Sequence, residues 1–265
     1  MPTLDDLLQK LWDDYVSLNP HAKAVHDLLV ERGEEVVNDH IAFRTFDDPR
    51  VGLDAVAAAF VAQGYLPRDS YHFEAKKLFA RHYEHPEPSR PKVFISELKT
   101  PEFSSHVQRI VRDLVDRAPS GISERWDFPV SGRPWDISMT YYETLRSESE
   151  YAAWLAAFGF RANHFTVDVN ALKTFGSLGE LNRFLKDQGH RLNTSGGEIK
   201  GSPEDLLEQS STLAGEVEVR FSNGRKRIPA CYYEFARRYP GPDGKLFTGF
   251  VAKSADKIFQ STDRR

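Results

Sequence analysis

Apolar residues recur at helical spacing over residues 3–18, where Leu4, Leu7, Leu8, Leu11, Trp12 and Tyr15 share one face. Asn19-Pro20 ends that run, and a second helix is expected over 21–32, stopped by Gly33. The period then shortens to two. Residues 39–46 (DHIAFRTF) alternate and are rich in β-formers, which predicts a strand. Asp47, Asp48 and Pro49 lead into a helix over about 51–63, closed by Gly64. Extended segments are expected at 71–84 and 92–99. Residues 101–160 break the rhythm, with helices predicted over 102–117 and 147–158 around a stretch punctuated by Pro119, Gly121, Pro129, Gly132 and Pro134. The strand–helix pattern returns at 163–170 (NHFTVDVN), followed by the capping-box signature of Ser177 and Glu180 and a helix closed by Gly189. Asn223-Gly224 between extended runs predicts a hairpin. Pro229, which cannot donate to a ladder, marks a bulge or an edge.

The two strand–helix stretches correspond. DHIAFR and NHFTVD each open on an acidic or amide residue, then histidine, then alternation; His40 to Gly64 is 24 residues and His164 to Gly189 is 25. We read a diverged duplication of a strand–helix–strands module. The expected organisation is a single domain, 1–265: N-terminal helices over 1–38, a first module over 39–100, a helical insertion or connector over 101–160, and a second module with a C-terminal segment over 161–265.

Composition narrows the function classes. A charged fraction of 28% with 40% hydrophobic residues describes a folded chain. The net charge of −4 gives no prior for nucleic acid or a membrane surface. Cys231 is the only cysteine, which excludes an internal disulfide framework and a cysteine-rich zinc site. No apolar run reaches a membrane span, and the acidic, amphipathic N-terminus lacks signal-peptide character. A cytoplasmic protein is the expectation.

Side chains alternate across a strand. His40, Ala42 and Arg44 share one face of the first strand; His164, Thr166 and Asp168 share one face of the second. Curled around a shared cavity, the two modules would bring His40 and His164 to equivalent places, with Glu234, late in the second module, in reach of the same centre. Two imidazoles and one carboxylate suit non-haem Fe(II), and the same set could hold zinc with an open water position. Taken singly, each residue has a plainer reading as a surface or hydrogen-bonded side chain; the matched positions of the histidines favour a metal site. Arg44 lies roughly 7 Å along the strand from His40. It could clamp a substrate carboxylate or pair with Asp47 or Asp48. His72, His82 and His85, near Lys76 and Lys77, are weaker candidates for the cavity wall. Ser195-Gly196-Gly197 reads as a turn more readily than as a phosphate nest. GxSxG, Walker A and GxGxxG motifs are absent.

DHIAFRTF, NHFTVDV, CYYEFARR and FVAKSADKIFQST together resemble the 2-oxoadipate dioxygenase/decarboxylase family over residues 39–262. The resemblance implies an α+β fold of paired βαβββ modules forming a curved, barrel-like mixed sheet of vicinal-oxygen-chelate type, with added helices. It implies an Fe(II) centre at His40, His164 and Glu234, with substrate contacts at Arg44, Lys253 and Ser254. Lys253 departs from the small apolar residue associated with that position. The implied partners are a 2-oxo acid and O₂, with no nucleic acid or membrane. The implied reaction converts 2-oxoadipate to 2-hydroxyglutarate with release of CO₂, a step in lysine breakdown. Two other readings stay open: a zinc- or manganese-dependent lyase, isomerase or hydrolase on the same scaffold, and a non-catalytic small-molecule binding module.

Overall fold

β1 (Asn38–Phe46) and β5 (Ala162–Asp168), the strands bearing the paired histidines, lie side by side and antiparallel. The computed structural model describes residues 2–251. Around β1, the chain continues through α3 (Leu53–Val61), β2 (Leu66–Phe73), β3 (Leu78–Glu84) and β4 (Lys92–Leu98). Around β5, it continues through α7 (Leu178–Asp187), β6 (Lys200–Ser202), β7 (Leu207–Ser211) and β10 (Glu234–Arg238). One eight-stranded sheet results, ordered β2-β3-β4-β1-β5-β10-β7-β6.

That order is the duplication made visible. In each module the last strand returns parallel to the first, beside it, and the middle strands follow outward. The paired βαβββ modules form a curled, mixed α+β sheet with added helices. Gly64 and Gly189 end the module helices equivalently, at φ +97° and +85°, a region that glycine enters without the steric penalty of a Cβ. A hairpin of β8 (Glu216–Phe221) and β9 (Gly224–Pro229) interrupts the second module and turns at Asn223-Gly224 as the sequence predicts. Pro229 closes β9, where the hairpin ladder ends.

α1 (Leu4–Leu18) and α2 (Pro20–Glu31) precede the first module. Thr3 and Asp6 form a reciprocal capping box on α1, and Pro20 occupies the first turn of α2, where its missing N–H costs nothing. α1 buries Leu7, Leu11 and Tyr15, and its Trp12 packs edge-on against Phe165 of β5, ring centroids 5.1 Å apart. α3 places Phe60 against Phe43 of β1, 5.3 Å between centroids. The helices therefore cover the Ile41/Phe43/Phe165 side of the sheet, and the histidines turn to the other.

Four expectations need correction. Residues 71–84 are not one extended segment: β2 and β3 form a hairpin through 74–77, with Lys77 in the left-handed region (φ 54°). The predicted helix over 147–158 is two helices, α5 (Met139–Glu148) and α6 (Glu150–Phe158), parted at Ser149, whose extended backbone and hydroxyl cap α6. β5 stops at Asp168, because that side chain accepts from Asn170 N and starts a 3-10 turn. At Ser177 the hydroxyl accepts from Glu180 N, but the Glu180 carboxylate accepts from Gly176 N and leaves the box unreciprocated.

The connector also includes α4 (Ser105–Asp116). α6 is buried from Tyr151 to Phe158, all but its first residue. Its Tyr151 hydroxyl accepts from Thr45 N at 3.0 Å and donates to Ser96 O at 2.6 Å, tying it to β1 and β4. Trp154 Nε1 donates to Ala230 O at 2.6 Å. Among the described residues no helix is long and apolar enough to cross a membrane.

Candidate metal centre

The β1–β5 register makes the two histidines reciprocal. His40 pairs with Thr166, two beyond His164, and His164 pairs with Ala42, two beyond His40. Side chains two apart point the same way, so both imidazoles enter the same space, their rings 5.5 Å apart and nearly perpendicular at 83°. β10 runs beside β5 with Glu234 opposite Thr166. That register delivers the carboxylate to the same point: Glu234 Oε1 lies 3.6 Å from His40 Nε2, and Oε2 lies 3.4 Å from His164 Nε2. One donor atom from each residue falls within 4.8 Å of the others, and all three side chains are buried. In the first module the place equivalent to Glu234 is held by Phe94, opposite Ala42. The duplicated halves thus contribute one histidine each and only one carboxylate.

The atoms behind this triad orient it. His40 Nδ1 meets Asp39 Oδ1 at 2.7 Å, and His164 Nδ1 meets Asn163 Oδ1 at 3.2 Å. In both modules the residue before the histidine therefore holds Nδ1 and leaves Nε2 facing inward, the arrangement of a ligating imidazole fixed by an outer partner. Asp39 is in turn gripped by Arg238, whose Nε and Nη2 donate at 2.6 and 2.9 Å. Gln209 Nε2 donates to Glu234 Oε1 at 2.5 Å, and the Thr166 hydroxyl lies 3.1 Å from His40 Nε2.

Burial sets the protonation states. It lowers His40, against the pull of Asp39, and holds His164 well below the usual histidine range, helped by the neighbouring His40 and Arg44. Both rings are accordingly neutral, the form with a lone pair to give a metal. Burial pushes Glu234 up to about 8, with Gln209 opposing. Burial also disfavours the Asp39 anion, but Arg238 and His40 outweigh it and keep that carboxyl well below its ordinary value. A carboxyl raised in this way, beside two neutral imidazoles, is a donor set from which a divalent cation would displace one proton and which it would then satisfy. The residues fit the metal that the sequence suggests.

Over the first module's side of the triad lies Phe250, its ring 4.8 Å from His40, 4.8 Å from Phe94 and 5.3 Å from His82. Arg238 Nη1 donates to the carbonyls of Phe247 and Gly249 at 3.0 and 2.8 Å, and Phe250 N donates to the Tyr71 hydroxyl at 3.1 Å. His82 is buried in this group, its Nδ1 2.9 Å from the Tyr71 hydroxyl.

Arg44 is buried on the His40 face, but its ion pair is with Glu150 Oε1 at 3.2 Å, not with Asp47 or Asp48. Asp48 binds Arg50 and Asp47 accepts from Thr100 N, both turned away. The guanidinium stands 4.9 and 5.0 Å from the ring centres of Tyr151 and Trp154. It forms part of the wall of a cavity of about 270 Å³ shared with Lys76, Lys77, Phe103, Glu150 and Tyr151. His72 is exposed, and the 195–197 segment is an exposed turn. Lys253 and Ser254 lie outside the described residues. Sequence reasoning missed Asp39, Asn163, Thr166, Gln209, Arg238 and Glu150. For the first two, the Asp-His and Asn-His doublets carried the signal.

Comparison with known proteins identifies the family. Residues 1–126 and 133–246 match the family model for 2-oxoadipate dioxygenase/decarboxylase. The chloroplastic 2-oxoadipate dioxygenase/decarboxylase of Arabidopsis thaliana is 35% identical over 94% of this chain and 74% of its own length. A Shewanella frigidimarina crystal structure, provisionally described as a hydrolase, is 50% identical with a TM-score of 0.91, over 94% of this chain and 97% of that one. The Oryza sativa hydroxyglutarate synthase in complex with 2-oxoadipate is 33% identical with a TM-score of 0.91, over 97% and 90%. At 20% identity and a TM-score of 0.78, a Ralstonia eutropha protein provisionally placed in the glyoxalase superfamily shares the fold over 92% of this chain and 84% of that one. The chain is an enzyme and belongs to the 2-oxoadipate dioxygenase/decarboxylase family.

Proposed function

We propose that this protein is an Fe(II)-dependent dioxygenase/decarboxylase that converts 2-oxoadipate and O₂ to 2-hydroxyglutarate and CO₂. The observation that carries this reading is the buried convergence of His40, His164 and Glu234. Its substrate rests on the likeness to a hydroxyglutarate synthase in complex with 2-oxoadipate.

His40, His164 and Glu234 would hold the metal. When bound, Fe(II) would supply a Lewis acid for the 2-oxo carboxylate and a redox centre at which O₂ reacts, with the 2-oxo acid itself as the net electron donor. The chain's own residues do the rest. Asp39 and Asn163 hold the imidazoles by Nδ1 so that Nε2 points inward. Arg44 binds the distal carboxylate of the dicarboxylic acid and fixes its orientation. The Phe250 ring, with Phe94 and His82 around it, shields the His40 side from water. Lys253 and Ser254 complete the substrate contacts in this reading.

Oxygen uptake with a panel of 2-oxo acids, with and without ferrous iron, tests the proposal. Iron-dependent O₂ consumption is expected with 2-oxoadipate, and it should vanish in His40→Ala and Glu234→Ala together with bound iron. Full turnover by metal-free protein overturns the reading. A zinc- or manganese-dependent lyase, isomerase or hydrolase is the second reading, favoured by the hydrolase description of the Shewanella structure. It predicts conversion of substrate without O₂ uptake.

A further inference from the structure

Tyr232 stands two residues before Glu234 and is fully buried. Its ring stacks on His164, centroids 4.7 Å apart and planes 26° from parallel. Its backbone is fixed, because the Tyr15 hydroxyl donates to Tyr232 O at 2.6 Å. Yet among the described residues its own hydroxyl has no hydrogen-bond partner. A buried unpaired hydroxyl destabilises a fold, and such groups are rare enough to need a reason.

Tyr233 supplies the contrast. Its hydroxyl is also buried without a partner among the described residues. However, Tyr233 points to the helix-covered side, where its ring meets those of Trp12, Tyr15 and Phe235. Burial alone raises its hydroxyl. At Tyr232 burial is joined by the ionisable groups Glu234, Arg44, Glu150 and Cys231. Its hydroxyl therefore sits within the electrostatic reach of both the triad carboxylate and the guanidinium assigned to the substrate. A phenol ordinarily carries its proton near neutral pH, so toward an anionic oxygen the hydroxyl acts as a donor.

We infer that the Tyr232 hydroxyl is a substrate-binding donor, reserved for a carboxylate or keto oxygen of a 2-oxo acid held between the metal triad and Arg44. This rests on the function proposed above. The ring would also fix the plane of His164, so one side chain serves ligand and substrate. A site built to bond a substrate oxygen rejects analogues lacking it, because the donor is then left unpaired.

The test compares wild type, Tyr232→Phe and Tyr233→Phe, each loaded with Mn(II) and titrated anaerobically with 2-oxoadipate. Metal affinity, thermal midpoint and iron-dependent O₂ uptake are measured alongside. Tyr232→Phe keeps the ring and its stack. It should bind Mn(II) as wild type does and melt no lower, since an unpaired hydroxyl is lost. It should bind 2-oxoadipate at least tenfold more weakly. Tyr233→Phe should match wild type in 2-oxoadipate binding. Unchanged 2-oxoadipate binding by Tyr232→Phe overturns the inference, as does a loss of Mn(II) affinity or melting temperature that accounts for the weaker binding. Wild-type protein that neither binds nor oxidises 2-oxoadipate overturns the functional reading and this inference with it. Wild-type turnover beside an unimpaired Tyr232→Phe overturns the inference alone.

Discussion

The Asp39 carboxylate lies 2.7 Å from Nδ1 of His40, on the far side of the ring from the nitrogen that faces Glu234. It is shared with Arg238, which also donates to the carbonyls of Phe247 and Gly249. One buried ion pair therefore orients a candidate metal ligand and anchors the segment that brings Phe250 over it. Asp39→Asn keeps the size but removes the charge. Outer partners of this kind are worth about 10–100-fold in metal affinity, and Fe(II) or Mn(II) titration should show a loss of that order. Arg238 would be left buried without its counter-ion, so the thermal midpoint should also fall. Unchanged metal affinity would remove Asp39 from its positioning role.

Arg44 tests the clamp. Its planar fork is wedged between Tyr151 and Trp154, a setting that lysine cannot reproduce. Arg44→Lys should raise KM for 2-oxoadipate by about tenfold or more, the worth of one charge-assisted contact. A 2-oxo monocarboxylate of similar length should lose little. Steady-state kinetics on the two substrates decide, and equal losses on both would point to a purely structural role.

The connector helix makes a stability prediction. Tyr151 accepts from Thr45 N, donates to Ser96 O and lies 3.0 Å from the Ser96 hydroxyl, all buried. Tyr151→Phe strands these groups at a cost of about 1–3 kcal/mol. Calorimetry should show the midpoint several degrees lower, at roughly 2–4 °C per kcal/mol for a chain near this size. A midpoint within one degree of wild type would mean that α6 is not tied to the sheet through this hydroxyl.

His21 predicts an acid-side loss of stability. Burial lowers it from 6.5 to about 4, with His190 adding to the shift. Between those values the unfolded chain binds the extra proton and the folded chain does not, so protonation favours unfolding. The contribution of neutral His21 is complete above about pH 6.5 and declines as pH falls toward 4. Urea unfolding of wild type and His21→Gln across pH 4–7 should show wild type losing stability relative to the variant as pH falls from about 6.5 toward 4. A constant gap between them would refute the assignment.

Much of this protein was legible in its sequence. The alternation in DHIAFRTF and NHFTVDV reported which side chains share a face, and repetition of the pattern reported the duplication, because both are local properties of a period-two backbone. The convergence of His40 and His164 followed from those two facts and appears in the reciprocal β1–β5 register. Glu234 was harder, since its placement depends on β10 passing beside β5 after the β8–β9 hairpin.

What tertiary structure alone decided is who stands behind the triad. Arg238 reaches Asp39 across 199 positions of chain, and Glu150 reaches Arg44 across 106. No period or spacing encodes such pairs. Asp47 and Asp48 looked like natural partners for Arg44 because they are close in sequence, but β1 runs on past Arg44 to Phe46 and they turn away to Thr100 and Arg50. Local pattern fixes the direction in which a side chain leaves its strand; only packing of distant segments fixes what it meets there.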